Sequence, residues 1–328
     1  MKKKMMKNLL YLPLVLGLVI TGVPMTAEAA VTTYNVTDYG ANGSDINSDF
    51  TAIEKTLAFA KNTDSEIKVV IPKGTYYIDN TLTIYSNTTL ELQEGAVIKR
   101  ASGFEDIMLD NAHDDDTDTH GGYDRTKNIT VTGGIWDGTI ANPTKDGCNV
   151  LYLGHAQNVT VSNTTIKNCY GVHLLELTGV KNATVSNVTF DGFNATGNTS
   201  EDKVKEALQI DIVTQVASEH YAPYDNTTCA DITVTGCSFN NYPVAIGTHD
   251  STGITSGVVI KDNTFKNISN IILQINNYKD VQINNNTMQS GSVIPNNFIV
   301  FQSSNGVISG NMIEQTTEDA IYLNASTA

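Results

Sequence analysis

The sequence predicts an all-β protein, a right-handed parallel β-helix with an N-terminal capping helix. Three observations support this prediction: a frame that recurs about every 24 residues, a column of turn residues within it, and short alternating strands without helical periodicity between them. A leucine-rich repeat would show a Leu/Asn consensus, and a propeller blade would have a longer period. Stacked β-helix coils are the simplest arrangement that remains.

The repeat is clearest where residues 158–166, NVTVSNTTI, return as NATVSNVTF at residues 182–190. Two positions after each aliphatic anchor of the frame stands a residue type that tolerates positive φ. These residues are Gly133, Asn163, Asn187, Gly236, Asp262, Asn285 and Gly310. The abundant asparagines are therefore interpreted as turn residues.

The N-terminal segment predicts export. Four lysines precede an apolar run from Leu9 to Val23, and Ala27-Glu-Ala29 follows as a cleavage site, so residues 1–29 have the features of a bacterial signal peptide. The rest, residues 30–328, forms one β-helix domain. Because the chain ends after the strand-like residues 321–323 without a closing segment, we also expect that its C-terminal end is truncated.

A capping helix is expected before the first coils. Asp49 stands at its start as the N-cap, and Phe50, Ile53, Leu57 and Ala60 fall on one helical face. That apolar face would close the open end of the first coil.

Charge limits the partners. Loss of the four lysines and Glu28 of the signal peptide takes the formal net charge from −15 to −18. Such a field repels nucleic acid and anionic membranes, and it disfavours a polyanion unless a cation bridges the two. We therefore expect an extracellular or cell-surface protein, a monomer, whose partner is a neutral polysaccharide or an acidic one held through calcium.

The four cysteines leave two alternatives open. Bridges between Cys148 and Cys169 and between Cys229 and Cys237 are compatible with export, and free buried thiols are equally compatible. Four cysteines are too few to hold a chain of this length, so the core must stabilise the fold.

Three segments resemble the pectin-lyase-like superfamily: YNVTDYGA at 34–41, VIPKGTY at 70–76 and NITVTGGIWDG at 128–138. The last is similar to polygalacturonase-type glycoside hydrolases. That resemblance implies a β-helix acting on polysaccharide. The polygalacturonase Asn-Thr-Asp strand corresponds here to Lys205-Glu206 and the Asp-Asp pair to Asn241-Tyr242, and its Gly-His-Gly and Arg-Ile-Lys motifs are not recognisable. Of that machinery, the resemblance carries over Glu206 alone.

Strand alternation predicts which side chains face outward. One outward column is Tyr152, Glu176, Gln209, Ala245 and Gln274, and the next is Gly154, Thr178, Asp211, Gly247 and Asn276. Glu176 and Asp211, one coil and two residues apart, should lie roughly 8 Å from each other. That spacing is in the range of the acid and base of an inverting glycosidase.

Histidines near these strands extend the candidate site. His173 and His249 lie at strand ends, and both His173 and Glu206 have the parity of inward residues. An insertion after Asp211 lengthens one coil from about 24 to about 49 residues and carries His220, Tyr221 and Tyr224. We expect it to form the wall of a cleft. The predicted catalytic residues are Glu176, Glu206, Asp211 and His249; the predicted substrate-binding residues are Tyr152, His173, Gln209, His220, Tyr221, Tyr224 and Gln274.

The acidic run from Asp110 to His120 is interpreted as a solvated loop, with calcium binding as the alternative. It lacks the glycine and distal glutamate of an EF-hand. No metal site is predicted from ligand spacing elsewhere.

Three functions stay open at this stage. The first is a polysaccharide-cleaving glycoside hydrolase that uses the carboxylates of the sheet face. The second is a polysaccharide lyase or epimerase with histidine and tyrosine as base and acid. The third is a non-catalytic glycan-binding or adhesion β-helix, since fold alone does not determine function.

Overall fold

The structure is a computed structural model. It describes residues 31–61, 63–111, 120–218, 220–250, 252–292, 294–314 and 319–324. The predicted signal peptide, residues 1–29, lies outside the described residues, as does most of the acidic run, residues 112–119.

Short helices accompany the coils. The α-helices are α1 (Phe50–Leu57) and α2 (Thr199–Asp202), and 3₁₀ turns cover Val36–Tyr39 and Ala58–Ala60. In α1, Ile53 and Leu57 are fully buried in the core, as the helical pattern predicts. Asp49 is the N-cap residue but makes no side-chain bond to the helix; its carboxylate accepts from the backbone N–H groups of Asn42 and Tyr77. It thus joins the capping helix to the strand that contains Tyr77.

The described residues form 26 strands. The first coils contain β1 (Thr32–Asn35), β2 (Ile67–Ile71), β3 (Gly74–Ile78), β4 (Leu82–Thr83), β5 (Thr88–Arg100), β6 (Leu109–Asp110) and β7 (Thr126–Asp137). The central coils contain β8 (Leu151–Gly154), β9 (Ala156–Ser162), β10 (Thr165–Tyr170), β11 (Leu175–Thr178), β12 (Lys181–Ser186), β13 (Thr189–Asn194), β14 (Glu206–Asp211), β15 (Ala230–Thr235) and β16 (Ser238–Gly247). The last coils contain β17 (Thr255–Ser256), β18 (Val259–Lys261), β19 (Thr264–Asn276), β20 (Tyr278–Lys279), β21 (Val281–Asn284), β22 (Thr287–Gln289), β23 (Asn297–Gln302), β24 (Gly306–Ser309), β25 (Met312–Glu314) and β26 (Ile321–Asn324).

All of these strands except β17 and β20, which continue the pairing of β15, stack into three parallel ladders, which are the faces of the predicted parallel β-helix. The first ladder runs β1-β2-β5-β7-β9-β12-β15-β18-β21-β24. The second runs β3-β5-β7-β10-β13-β16-β19-β22-β25. The third runs β4-β6-β8-β11-β14-β16-β19-β23-β26 and carries the candidate site.

The repeat frame specifies both the core and the turns. The last position of the frame is aromatic in three coils. There Phe190 stacks on Phe239 and Phe239 on Phe265, with ring centroids 4.6 and 5.0 Å apart. All seven predicted turn residues adopt positive φ, from 52° at Asn163 to 78° at Gly133. These φ values confirm the predicted column of turn residues. Glycine, asparagine and aspartate occupy it because they enter the positive-φ region at low cost.

A second column of asparagines forms a side-chain ladder along the outside. Asn128 donates to Asn87, Asn158 to Asn128 and Asn182 to Asn158, with N···O distances of 2.7, 2.9 and 2.7 Å. Each of these four residues also has positive φ, between 55° and 59°. Asparagine therefore serves here both as a turn former and as a link between coils.

The four cysteines are free and buried. Of the two alternatives that the sequence left open, the structure has the unbridged one. The Cys169 thiol lies within hydrogen-bond distance of the backbone oxygens of Cys148 and His173, at 3.5 and 3.1 Å. Burial raises the pKa of the Cys169 and Cys229 thiols to about 12.

Candidate functional site

The third ladder bends just before its strands, and the bend determines which side chains face outward. At the bend two consecutive residues point into the core: Leu174 with Leu175, and Ala207 with Leu208. Two inward neighbours break simple alternation, so the residue before each pair faces out again. His173 and Glu206, whose parity predicted an inward direction, therefore line the outer surface of the ladder.

The same bend corrects one predicted coil. Val244 and Ile246 were expected to point inward with Ala245 between them. In the structure Ala245 and Ile246 are the inward pair, and Val244 is aligned with Glu206. Gly247 therefore stands opposite Gln209, two residues from the predicted register, and Ala245 lies in the core instead of the outward column.

A cavity of about 540 Å³ lies on this ladder. Its floor comes from the outward residues of β8, β11 and β14 and from the residues before the bend. Its sides come from the 105–107 and 145–148 segments and from the insertion. The lining includes Asn149, Tyr152, His173, Glu176, Lys205, Gln209, Val216, Ala217, His220 and His249.

Glu176 is the buried carboxyl group of this cavity. Its Oε2 accepts from Asn149 Nδ2 at 2.5 Å and its Oε1 from Thr178 Oγ1 at 3.0 Å. Burial raises the pKa of Glu176 to about 7, against hydrogen bonds from Tyr152, Asn149 and Thr178 that favour the carboxylate. At neutral pH this group can therefore either donate or accept a proton.

A smaller cavity of about 100 Å³ adjoins the first on the same ladder. The two cavities share His173, Lys205, Gln209 and His249, and the smaller one adds Glu206 and Gln274. Burial raises the pKa of Glu206 to about 8 and lowers that of His173 to about 3. Both groups are therefore mostly uncharged at pH 7.

Asp211 lies beneath the surface. It aligns with Thr178, as the predicted columns require, but it is fully buried and does not line either cavity. Its carboxyl oxygens accept from the backbone N–H groups of Ile212, His249 and Asp250 at 2.8 to 3.3 Å and from Gln209 Nε2 at 2.9 Å, and burial raises the pKa of Asp211 to about 8. In this position Asp211 anchors the loop that carries His249.

The insertion after β14 forms one wall of the larger cavity. His220 lines the cavity, and its Nε2 lies 2.7 Å from Asp110 Oδ2. Tyr221 is fully buried: its hydroxyl bonds Asn111 Oδ1 at 2.7 Å and the Tyr152 carbonyl at 2.6 Å. Tyr221 is therefore part of the wall and not of the lining, and the exposed Tyr224 lies outside the lining of both cavities.

A set of hydrogen bonds holds the insertion to the segment before β7. The two ring nitrogens of the buried His155 lie 2.8 Å from the Gly122 carbonyl and 3.1 Å from the Pro223 carbonyl. Arg125 donates to the Ala222 carbonyl, and Asp225 accepts from the Gly122 N–H. Sequence reasoning missed these contacts because the two segments are about 100 residues apart.

Sequence reasoning also missed Asn149 and Lys205 as lining residues. Asn149 precedes the inward pair Val150–Leu151, so the rule that places His173 and Glu206 also places it. Among the described residues no cluster of three or more His, Cys, Asp or Glu side chains is arranged to hold a metal ion. The calcium alternative for the acidic run falls mainly on residues outside the described part of the chain.

Residues 33–290 match the sequence model of the rhamnogalacturonase A/epimerase, pectate lyase-like family. The chain belongs to this family. The match covers most of the sequence, including every coil that builds the two cavities. The resemblance predicted from the three N-terminal segments is thereby confirmed.

The similar proteins include adhesins. The chain is 26% identical over 319 residues to the plasmin and fibronectin-binding protein A of Streptococcus pneumoniae, covering 89% of this chain but only 44% of that protein. The crystal structure of PfbA, a surface adhesin of S. pneumoniae, matches with a TM-score of 0.71 at 24% identity, over 90% of this chain and 72% of that one. An iota-carrageenase from A. fortis matches with a TM-score of 0.52 at 13% identity, over 86% and 60% of the two chains. At such identities these structures establish the fold alone.

The predicted extracellular or cell-surface location agrees with these relatives, since the solved S. pneumoniae structures are of surface adhesins. Within the described residues, the structure contains no helix that is long and apolar enough to span a bilayer.

Proposed function

We propose that this chain is a bacterial surface or secreted module that binds an extracellular glycan without cleaving it. The observation that carries the proposal is the continuous polar groove on the third ladder. Two adjoining cavities share His173, Lys205, Gln209 and His249, so their hydrogen-bonding groups face one channel. A concave site with several converging polar groups is typical of small-ligand and sugar recognition.

The position of Asp211 favours binding over hydrolysis by the expected acid–base pair. Two-carboxylate glycoside hydrolysis requires both groups to flank the scissile bond. Glu176 faces the larger cavity, but four N–H donors enclose the Asp211 carboxylate beneath the groove. With its carboxyl group enclosed and fully buried, Asp211 does not line the groove.

The relatives add weight to an adhesive role. The S. pneumoniae protein that shares 26% identity is named for binding plasmin and fibronectin, and PfbA is a surface adhesin. This chain spans 44% of the former's length, so the partners of the whole protein come to this chain only as a proposal. For this chain we propose adhesion through the glycan groove.

A glycoside hydrolase is the second candidate, and one observation favours it. Glu176 combines access to the larger cavity with a pKa of about 7, which suits a general acid at neutral pH. Glu206, at the other end of the groove, would have to replace Asp211 as its partner.

One experiment separates these functions. The purified full chain is titrated with extracellular polysaccharides, and each mixture is then assayed for new reducing ends and for ultraviolet absorbance. Saturable binding without either product is expected. New reducing ends would overturn the binding proposal in favour of a hydrolase, and an absorbing double bond would overturn it in favour of a lyase.

The binding site itself is tested by a matched pair of lysine variants. Lys205 lines both cavities, whereas Lys261 is an exposed residue of β18 on the first ladder. Each change to alanine removes one positive charge from the protein. Lys205→Ala should weaken glycan binding about tenfold, and Lys261→Ala should leave it unchanged. Equal effects of both variants would show that the groove is not the site.

A further inference from the structure

The smaller cavity offers both donors and acceptors whose directions are determined by their other contacts. His173 Nδ1 lies 2.8 Å from the Glu206 carbonyl oxygen, so Nδ1 carries the proton and Nε2 keeps its lone pair. Gln209 Nε2 donates to Asp211, which leaves the Gln209 amide oxygen as an acceptor. Two acceptors are thus directed at the groove.

Glu206 supplies the complementary donor. Its side chain is 4% exposed, and Oε2 lies 3.6 Å from His173 Nδ1, beyond hydrogen-bond distance. Burial raises the pKa of Glu206 to about 8, so at pH 7 the carboxyl group is mostly protonated and carries an O–H. The Lys205 ammonium group, at the junction of the two cavities, is a second donor.

Gly247 provides the space for this subsite. It occupies the outward column between Gln209 and Gln274, where the other positions carry long side chains. A Cβ there would lie 2.9 Å from Glu206 Cγ and 3.1 Å from Gln274 Cβ. The absent side chain therefore leaves Glu206 room to reach the outer surface.

We infer that the smaller cavity is a subsite for an uncharged sugar residue, whose hydroxyl groups donate to His173 and Gln209 and accept from Glu206 and Lys205. This inference rests on the proposed function and adds the charge class of the ligand and a second subsite. A hydroxyl both donates and accepts, so neighbouring hydroxyls match the alternating donors and acceptors.

Charged sugars fit this subsite less well. A uronate carboxylate has no proton to give to His173 Nε2 or the Gln209 oxygen, and it would lie against the Glu201 carboxylate. An amino sugar would bring an ammonium group to a carboxyl that is protonated at pH 7 and would have to displace that proton.

The test uses the full chain and five trisaccharides of defined charge: cellotriose, mannotriose and the N-acetylglucosamine trimer as neutral probes, trigalacturonate as the anion and the glucosamine trimer as the cation. Calorimetric titration at pH 7 should give at least tenfold tighter binding for one neutral probe than for either charged probe. The affinity for that neutral probe should fall as Glu206 ionises above about pH 8.

Three variants locate the effect. The neutral trisaccharide that binds best should bind more tightly than the disaccharide of the same sugar. Gly247→Ala should remove this gain in affinity, because the added methyl group pushes Glu206 into the subsite. Glu206→Ala should weaken trisaccharide binding about tenfold. Glu206→Gln should recover part of that loss, because the amide also donates, and should remove the fall above pH 8.

The outcomes distinguish a failure of this inference from a failure of the proposed function. Binding by no probe would overturn the proposed function and the inference together. Tighter binding of trigalacturonate or the glucosamine trimer, or a Glu206→Gln variant as weak as Glu206→Ala, would overturn the inference and leave glycan binding intact. Because Glu206→Gln preserves side-chain shape, the test stands even if Gly247→Ala fails to fold.

Discussion

The ring of Tyr221 packs directly against the α-carbon of Gly154. A Cβ built on Gly154 would lie 2.5 to 2.8 Å from three atoms of that ring. The small residue in the outward column therefore does not leave an open hollow. It leaves space for the ring of Tyr221, which belongs to the insertion that forms one wall of the larger cavity.

Gly154→Ala should displace Tyr221 and loosen the wall. Forcing a methyl group into a packed contact typically costs about 1–3 kcal/mol, and we expect a loss of that size in urea unfolding. The control is the same change in a Tyr221→Ala background, where the methyl group has space. If Gly154→Ala destabilises both backgrounds equally, Tyr221 is not the neighbour that matters.

Glu176 should make stability depend on pH. Its pKa rises from 4.5 to about 7 on folding, so the folded protein holds this proton where the unfolded chain releases it. The contribution of Glu176 to the free energy of unfolding should therefore decrease as pH rises from about 4.5 to about 7 and then level off, whereas the contribution of Glu206 should decrease up to about pH 8.

The variant Glu176→Gln carries no titrating proton, so its stability should lack this part of the decrease. Relative to the unaltered protein it should gain on the order of 3 kcal/mol between pH 4.5 and pH 8. Glu94→Gln, at an exposed position of β5, serves as the control. Identical pH profiles for Glu176→Gln and the unaltered protein would contradict the assignment.

Asn158 should contribute through its backbone and its side chain separately. Its φ is 57°, and its amide links Asn128 and Asn182. Asn158→Ala loses both features and should destabilise by about 1–3 kcal/mol. Asn158→Gly keeps the backbone and loses only the links, so it should cost about 1 kcal/mol less than alanine; equal losses would show that the turn conformation contributes nothing.

The cysteines should behave as buried thiols. Burial raises the pKa of Cys237 to about 11 and those of Cys169 and Cys229 to about 12, so little thiolate is present at pH 8. A thiol reagent should leave Cys169, Cys229 and Cys237 unlabelled in the folded protein and should label all four cysteines after denaturation. A reducing agent should leave the melting temperature unchanged, whereas a drop would indicate a disulfide.

The sequence alone determined the fold, because the signals for it are local. An aliphatic anchor such as Val161 and a turn residue such as Asn163 recur along the coils. The anchor residue type indicates a buried position, and the turn residue type indicates a positive φ. The α1 face with Ile53 and Leu57 is predictable for the same reason. The groove's candidate residues were found mostly from their place on the strands.

Only the tertiary structure decided which carboxyl groups face the two cavities. Strand alternation assumes a straight strand, and the inward pairs at the bend, such as Ala207–Leu208, reset that alternation for Glu206 and shift the register at Gly247. The enclosure of Asp211 and the seat of Tyr221 on Gly154 depend on contacts between segments far apart in the chain. Such contacts leave no periodic trace, because each occurs once, where two distant surfaces meet.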